Sequence, residues 1–76
     1  SVDMDGIDPA YAPGVGTPEP YGLDTLLVRD VIRHVAGRTV GFDMVEVCPS
    51  ADNGNTAALA ARLVKDFIAA REHALK

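Results

Sequence analysis

Apolar side chains recur at helical spacing in two parts of the chain, and this pattern predicts two amphipathic helices. The first follows Asp24, a suitable capping residue, and ends at Gly37, a residue type that commonly follows a helix. Its apolar stripe consists of Leu27, Val28, Val31, Ile32 and Val35. The second is predicted over residues 56 to 72, with Asn55 as its cap. Its stripe consists of Leu59, Ala60, Leu63, Val64, Phe67 and Ile68.

Two further segments have the pattern of β-strands. Residues 1 to 5 predict the end of a first strand. Residues 39 to 48 are apolar on both faces, which is typical of a central strand in a parallel sheet, and Pro49 ends this run. Residues 8 to 22 are rich in proline and glycine and predict a long ordered loop. Loops of this length are usually functional.

The order strand, helix, strand, helix predicts an α/β fold with a parallel sheet and right-handed crossovers. Both strands then run in the same direction, and their carboxyl ends lie at the edge of the sheet that carries the active site in open α/β folds. Asp3 and Asp5 lie at the carboxyl end of the first strand, and Glu46 lies near that of the second. Topology therefore predicts that these three carboxylates share one edge.

Asp3 and Asp5 have the spacing of a metal-binding pair. Side chains at i and i+2 lie on the same face of a strand, with Cα atoms roughly 6–7 Å apart. Asp is disfavoured within strands, and a buried carboxylate needs a cation or strong hydrogen bonds. Hard carboxylate oxygens suit Mg²⁺ or Mn²⁺. The pair is therefore predicted to ligate metal, with backbone capping as the alternative.

Four other polar residues are candidates for the same region. A carboxylate at Glu46, on the strand face of Val40, could accept two parallel hydrogen bonds from a guanidinium group, or could form a structural ion pair. Thr17 is predicted to bond the backbone or a substrate. Asp8 is predicted to order the loop by accepting backbone hydrogen bonds, and Asp52 to form a turn.

Two generic motifs that begin with Asp-x-Asp-Gly fit the chain poorly. A phosphatase start of the haloacid-dehalogenase type places Thr after the Gly, where this chain has Ile7. A calcium loop that began at Asp3 would need Glu at its twelfth position, where this chain has Gly14. Both motifs fail at residues that their chemistry requires.

Composition excludes several classes of protein. Hydrophobic residues make up 47% of the chain and charged residues 24%, values typical of a globular domain. No apolar run approaches the roughly 20 residues that span a bilayer, so no membrane association is expected. The net charge is −4 and no basic patch is present, which argues against a nucleic-acid partner. The single Cys48 cannot form an internal disulfide, which predicts a cytoplasmic location.

Three blocks of residues, taken in order, resemble the carboxyl-terminal part of the ureohydrolases, a family that includes arginase, agmatinase, guanidinobutyrase and formiminoglutamase. The blocks are Ser-x-Asp-x-Asp-x-x-Asp-Pro from Ser1, Ala-Pro-Gly-x-Gly-Thr-Pro-Glu-Pro from Ala12, and Val-Glu-Val-x-Pro from Val45. The middle block is more similar to agmatinases than to arginases. Tyr21 and Gly22 replace the Gly-Gly that commonly follows it in agmatinases.

The resemblance implies a three-layer α/β/α fold of the arginase type, a site with two Mn²⁺ ions and a homo-oligomer. In this chain Asp3 would bridge the two ions and Asp5 would be a second ligand. Glu46 would hold the guanidinium group of the substrate, and Thr17 would lie near it. The remaining ligands of the family, a His and an Asp-x-His-x-Asp block, do not occur in these residues.

The function that the resemblance implies is hydrolysis of agmatine to putrescine and urea. Arginase or guanidinobutyrase activity is the nearest alternative, and an inactive structural subunit with the same fold is another. Because the first residues already predict a strand, residues 1 to 76 are expected to form the carboxyl-terminal portion of one longer domain. The rest of that domain is then a required partner, and the 76 residues alone are expected to be inactive.

Overall fold

The structure is a computed structural model, and it describes residues 1–18 and 20–75. Strand β1 is Val2–Asp3, helix α1 is Thr25–Val35, strand β2 is Met44–Val45 and helix α2 is Asn55–Ala74. Three short 3₁₀ turns lie between these elements, at Met4–Gly6, Ala36–Arg38 and Pro49–Ala51. The predicted order of strand, helix, strand and helix is confirmed.

The two strands pair in parallel, with Val2 opposite Met44 and Asp3 opposite Val45. The parallel direction was predicted, but the predicted extent of the second strand, residues 39 to 48, was wrong. Within the described part of the chain β1 is the neighbour of β2, and β1 itself is two residues long. A ladder extends only as far as both strands supply backbone partners, so β2 is equally short.

Helix α1 begins where the sequence predicts. The side chain of Asp24 accepts a hydrogen bond of 2.7 Å from the backbone N–H of Leu26, which satisfies a free donor of the first turn. At its other end the helix tightens into the turn Ala36–Arg38 rather than stopping at Gly37. Nη1 of Arg71, on α2, donates to the carbonyls of Ala36, Gly37 and Thr39, and this ties the two helices together.

Helix α2 is capped by a different residue from the one predicted. Asn55 is its first residue, and the Asn55 side chain donates to the carbonyl of Tyr11 at 3.1 Å. Gly54 precedes the helix with a φ of 91° and gives no side-chain cap. Asp52 supplies the cap instead, because its carboxylate accepts from the N–H groups of Gly54 and Thr56 at 2.9 and 3.0 Å.

The core lies between the two helices and the turn and loop that follow β1. Its buried members are Met4, Ile7, Ala12, Val15, Ile32, Ala60 and Leu63. Burial of each large apolar side chain contributes about 1.5–3 kcal/mol. The apolar stripe of α1 is only partly covered, since Ile32 is buried whereas Leu27 and Val31 are 51% and 53% exposed.

The loop between β1 and α1 is closed at its base. Asp8 accepts hydrogen bonds from the N–H of Ala10 at 2.9 Å and from that of Gly22 at 3.2 Å. A parallel bridge joins Ile7 to Leu23 beside it. The predicted role of Asp8 in ordering the loop is confirmed.

Candidate functional site

The carboxylates of Asp3 and Asp5 lie together at the carboxyl end of β1, but not on one strand face. Asp3 ends the strand, whereas Asp5 lies in the turn Met4–Gly6. The prediction of an extended pair is wrong because Asp3 itself caps that turn: its Oδ1 accepts from the N–H of Asp5 at 3.1 Å. The turn brings the second carboxylate back toward the first.

The pair is electrostatically unfavourable in the absence of a cation. The pKa of Asp5 is raised above its ordinary value of 3.8, first by a hydrogen bond with the carboxyl of Asp3, then by desolvation and by the negative charges of Asp3 and Glu46. The Thr17 hydroxyl acts in the opposite direction. Within residues 1–18 and 20–75, no Lys or Arg forms an ion pair with either aspartate.

Thr17 reaches this pair from the loop. Its Oγ1 donates a hydrogen bond of 3.1 Å to Oδ2 of Asp5. The contact that the structure gives Thr17 is therefore with Asp5, and it orients that carboxylate. Glu19, a further polar residue of the same sequence block, lies outside the described residues.

Glu46 lies directly after β2 and is exposed. Its φ of 67° is in the left-handed region, so the prediction that it shares the strand face of Val40 is wrong: the backbone leaves the pleat at this residue. Its charge nevertheless contributes to the raised pKa of Asp5, which puts it near the same edge of the sheet. A non-glycine residue in this conformation costs about 1–2 kcal/mol, and such strain is concentrated at functional sites.

The four predicted residues are thus brought to one edge, although by different local structures from those expected. The carboxylates of Asp3 and Asp5 are the kind of ligand that a hard divalent cation prefers. In the described part of the chain, no group of three or more His, Cys, Asp or Glu side chains could hold a metal ion. These residues therefore fit a metal ion as part of its ligand set and not as the whole of it.

Comparison with protein families decides the assignment. The model described as Arginase family matches residues 1–70, a range that contains the two aspartates, Thr17 and Glu46. The chain belongs to the arginase family. The resemblance seen in the three sequence blocks is confirmed.

Several curated members of the arginase family are similar to this chain. Mitochondrial agmatinase of Gallus gallus is 50% identical over 70 residues, which are 90% of this chain and 21% of that protein. Guanidinobutyrase of Pseudomonas aeruginosa is 49% identical over 70 residues, again 90% of this chain and 22% of that protein. The chain spans about a fifth of the length of these relatives.

Solved structures of arginase-family proteins share the fold. The agmatine ureohydrolase of Thermoplasma volcanium matches with a TM-score of 0.91 and 62% identity, over 93% of this chain and 24% of that one. The arginase of Bacillus subtilis matches with a TM-score of 0.80 and 34% identity, over 86% and 23% of the two chains. The predicted arginase-like α/β fold is confirmed.

Sequence reasoning missed two residues beside the site. Asp52 was predicted only as a turn former, and Thr56 only as the start of a helix. Together they hold the backbone of Gly14, in the loop that carries Thr17. The spacing of Asp and Thr at i and i+4 across a helix start signals a cap, but it does not reveal the loop that the cap also binds.

Neither α1 nor α2, the helices of the described part of the chain, has the length and apolar character needed to span a bilayer.

Proposed function

We propose that this chain is part of a binuclear manganese hydrolase that converts agmatine to putrescine and urea. The observation that carries the proposal is the convergence of Asp3, Asp5 and Glu46 on one sheet edge, in an arginase-family chain. The 62% identity to an agmatine ureohydrolase favours agmatine among the guanidino compounds. We also propose that the protein is a homo-oligomer located in the cytoplasm.

Asp3 and Asp5 would hold the metal ions, since two adjacent carboxylates of which one has a raised pKa are stabilised by a bound cation. The other ligands, a His and an Asp-x-His-x-Asp block, would come from the remainder of the domain. When bound, the Mn²⁺ ions would supply hydroxide at neutral pH, because divalent ions lower the pKa of water. Thr17 would keep the Asp5 carboxylate oriented toward them.

Glu46 would orient the substrate. A carboxylate accepts two parallel hydrogen bonds from a planar guanidinium, which fixes both the position and the plane of the group. Hydrolysis adds water at the guanidinium carbon, breaks its bond to the alkyl nitrogen and transfers a proton to the departing amine. Glu46 would hold the guanidinium group in a single orientation next to the Asp3–Asp5 pair. This would lower the entropic part of the activation free energy for hydrolysis.

The surface around β1 supports the presence of further protein. A groove runs along the outer side of β1 and α1 and is lined by apolar side chains that include Val2, Ile7, Leu27 and Val31. Since Leu27 and Val31 are half exposed, this surface is suited to contact with the remainder of the domain.

The proposal is tested by urea release from agmatine by the full-length protein, first after chelation and then with Mn²⁺ restored. We expect Mn²⁺-dependent urea, with Asp3→Ala and Asp5→Ala losing both metal and turnover. Glu46→Gln is expected to raise KM or lower kcat while metal content is unchanged. Asp30→Asn, which alters an exposed aspartate paired with Arg29, is the matched control and should behave as wild type. Full turnover in Asp3→Ala would overturn the metal assignment.

A guanidino acid is the second candidate substrate. The guanidinobutyrase is 49% identical to this chain and the agmatinase 50%, a difference too small to separate them. Agmatine ends in an ammonium group, guanidinobutyrate in a carboxylate and arginine in both. Comparison of kcat/KM for the three therefore identifies the charge that the tail pocket accepts. Bound Mn²⁺ with no urea from any of them would point to another guanidino substrate, whereas the absence of bound Mn²⁺ would favour the inactive structural subunit.

A further inference from the structure

The backbone of Gly14 is held on both sides. Its N–H donates to Oγ1 of Thr56 at 2.6 Å, and its carbonyl accepts from the N–H of Cys48 at 2.6 Å. Thr56 is completely buried at the start of α2, so water cannot replace this contact. Gly14 is therefore fixed by two elements that are distant from it in sequence, the segment behind β2 and the first turn of α2.

Asp52 determines which way the Thr56 hydroxyl points. Oγ1 of Thr56 donates to Oδ2 of Asp52 at 2.7 Å. A hydroxyl has one proton to donate, so this bond leaves its lone pairs free to accept from Gly14. Asp52 is itself held by the N–H groups of Gly54 and Thr56. A Cβ atom at position 14 would lie 2.7 Å from the Asp52 carboxylate, so only glycine fits there without displacing it.

This arrangement connects two parts of the candidate site. Gly14 lies in the same loop as Thr17, which donates to Asp5. Cys48, which binds the other side of Gly14, closely follows Glu46 in the chain. A movement of Gly14 would therefore change the position of Thr17 relative to both the aspartate pair and Glu46.

We infer that Gly14, Asp52 and Thr56 form a clamp, and that Asp52 and Thr56 are positioning residues of the site. This inference rests on the proposed function. The clamp acts through the loop: it holds Thr17 where its hydroxyl meets Asp5, and so keeps Asp5 in the orientation that metal binding requires. A purely structural role would confine the effect of these residues to the stability of α2.

The test uses the full-length protein with Thr56→Val, which keeps the shape of the side chain but removes the hydroxyl, and Thr56→Ser, which keeps the hydroxyl. Arg71→Lys is the control, because it perturbs the other end of α2, where Arg71 binds the Ala36 carbonyl. Two quantities are measured: amide hydrogen exchange of residues 14–17 without metal, and the Kd for Mn²⁺.

We expect Thr56→Val to speed amide exchange in residues 14–17 and to weaken Mn²⁺ binding about tenfold, as loss of a residue that orients a ligand typically does. Thr56→Ser should keep the exchange rates and the Kd for Mn²⁺ close to those of the wild type, and Arg71→Lys should change neither quantity. Thr17→Val should weaken Mn²⁺ similarly, and the double variant Thr17→Val/Thr56→Val should be no weaker than either single variant. Non-additivity of this kind indicates that two residues act through one contact.

Additive losses, or a Kd unchanged in Thr56→Val, would overturn the inference. If Thr56→Val does not fold, Asp52→Asn takes its place in the same comparison, because an amide nitrogen at Oδ2 cannot accept from the Thr56 hydroxyl. If the wild type binds no Mn²⁺, the proposed function fails, and exchange alone then decides whether the clamp exists. The clamp is supported when Thr56→Val, but not Thr56→Ser, speeds amide exchange in residues 14–17, and is refuted otherwise.

Discussion

Thr17 donates a hydrogen bond to Asp5 although it lies twelve positions further along the chain, in a loop rich in proline. The bond gives one carboxylate oxygen of Asp5 a fixed partner. The same carboxyl has a raised pKa because Asp3 lies next to it, so Thr17 partly offsets that repulsion. One hydroxyl therefore stabilises a pair of like charges and orients a candidate metal ligand.

Two replacements of Thr17 distinguish the effect of its hydroxyl on the orientation of Asp5 from the effect of its side-chain shape on packing. Thr17→Val keeps the shape of the side chain and removes the donor, and we expect it to weaken Mn²⁺ binding about tenfold, in the range typical for residues that orient a ligand. Thr17→Ser retains the donor and should bind Mn²⁺ nearly as the wild type does. Both are measured by titration of the chelated, full-length protein. Equal affinity in the Val and Ser variants would contradict the role of the hydroxyl.

Asp5→Asn is expected to have opposite effects with and without metal. The raised pKa of Asp5 means that its ionised form is disfavoured in the folded state, so at neutral pH the charge lowers stability when no cation is bound. Asn removes the charge and can donate a hydrogen bond to Asp3. We expect a higher Tm than wild type in a chelator, and no increase in Tm on addition of Mn²⁺.

For Asp5→Asn, thermal unfolding with and without Mn²⁺ is the measurement, with Asp30→Asn as the surface control. A lower Tm than wild type in the chelator would show that the Asp3–Asp5 pair is not repulsive in the folded protein. A substitution that raises the stability of the metal-free protein and abolishes metal binding, as expected for Asp5→Asn, is typical of a functional site.

The backbone at Glu46 allows its conformation and its carboxylate to be tested separately. Glycine adopts a φ of 67° without the cost of about 1–2 kcal/mol that other residues bear, although it loses about 0.5–1 kcal/mol through greater freedom of the unfolded chain. Glu46→Gly should therefore be as stable as the wild type or slightly more so, while losing substrate turnover. Denaturant midpoints and urea release measure the two properties. A clearly less stable Gly variant would contradict the strained backbone.

The elements that depend on local sequence were predicted well. The two apolar stripes and the Asp24 cap determine both helices within a few residues, because helix periodicity and capping act over one turn. The parallel α/β order follows from the succession of elements. Asp8 was also predicted correctly, since its hydrogen-bond partners lie at the base of its own loop.

The features that were predicted wrongly or missed depend on contacts between distant residues, or on a side chain that binds the backbone in place of strand pairing. Asp5 leaves the strand because the Asp3 side chain captures its N–H, which an alternating pattern cannot reveal. The extent of β2 depends on its neighbour in the sheet. The Thr56 contact with Gly14 joins residues 42 positions apart, and no local pattern marks it.

The contribution of Asp52 to stability is expected to depend on pH in one direction. Hydrogen bonds from the Thr56 hydroxyl, first of all, and from the N–H of Gly54 lower the pKa of Asp52 below its ordinary value of 3.8. Between that lowered pKa and about 3.8, the unfolded chain binds more protons at this residue than the folded protein does. The stabilisation is therefore complete above about pH 5 and is lost as the pH falls through the lowered pKa.

Asp52→Asn removes this titration, so the difference in stability between wild type and Asp52→Asn should be constant from about pH 7 to 5 and should shrink toward pH 3. Other carboxylates titrate in both proteins and cancel in the difference. Denaturant midpoints of the metal-free, full-length proteins at several pH values measure it, and Asp30→Asn should show no such trend. A difference that stays the same down to pH 3 would mean that the folded protein does not favour the ionised form of Asp52, and that its bonds to Thr56 and Gly54 contribute equally when the carboxyl is neutral.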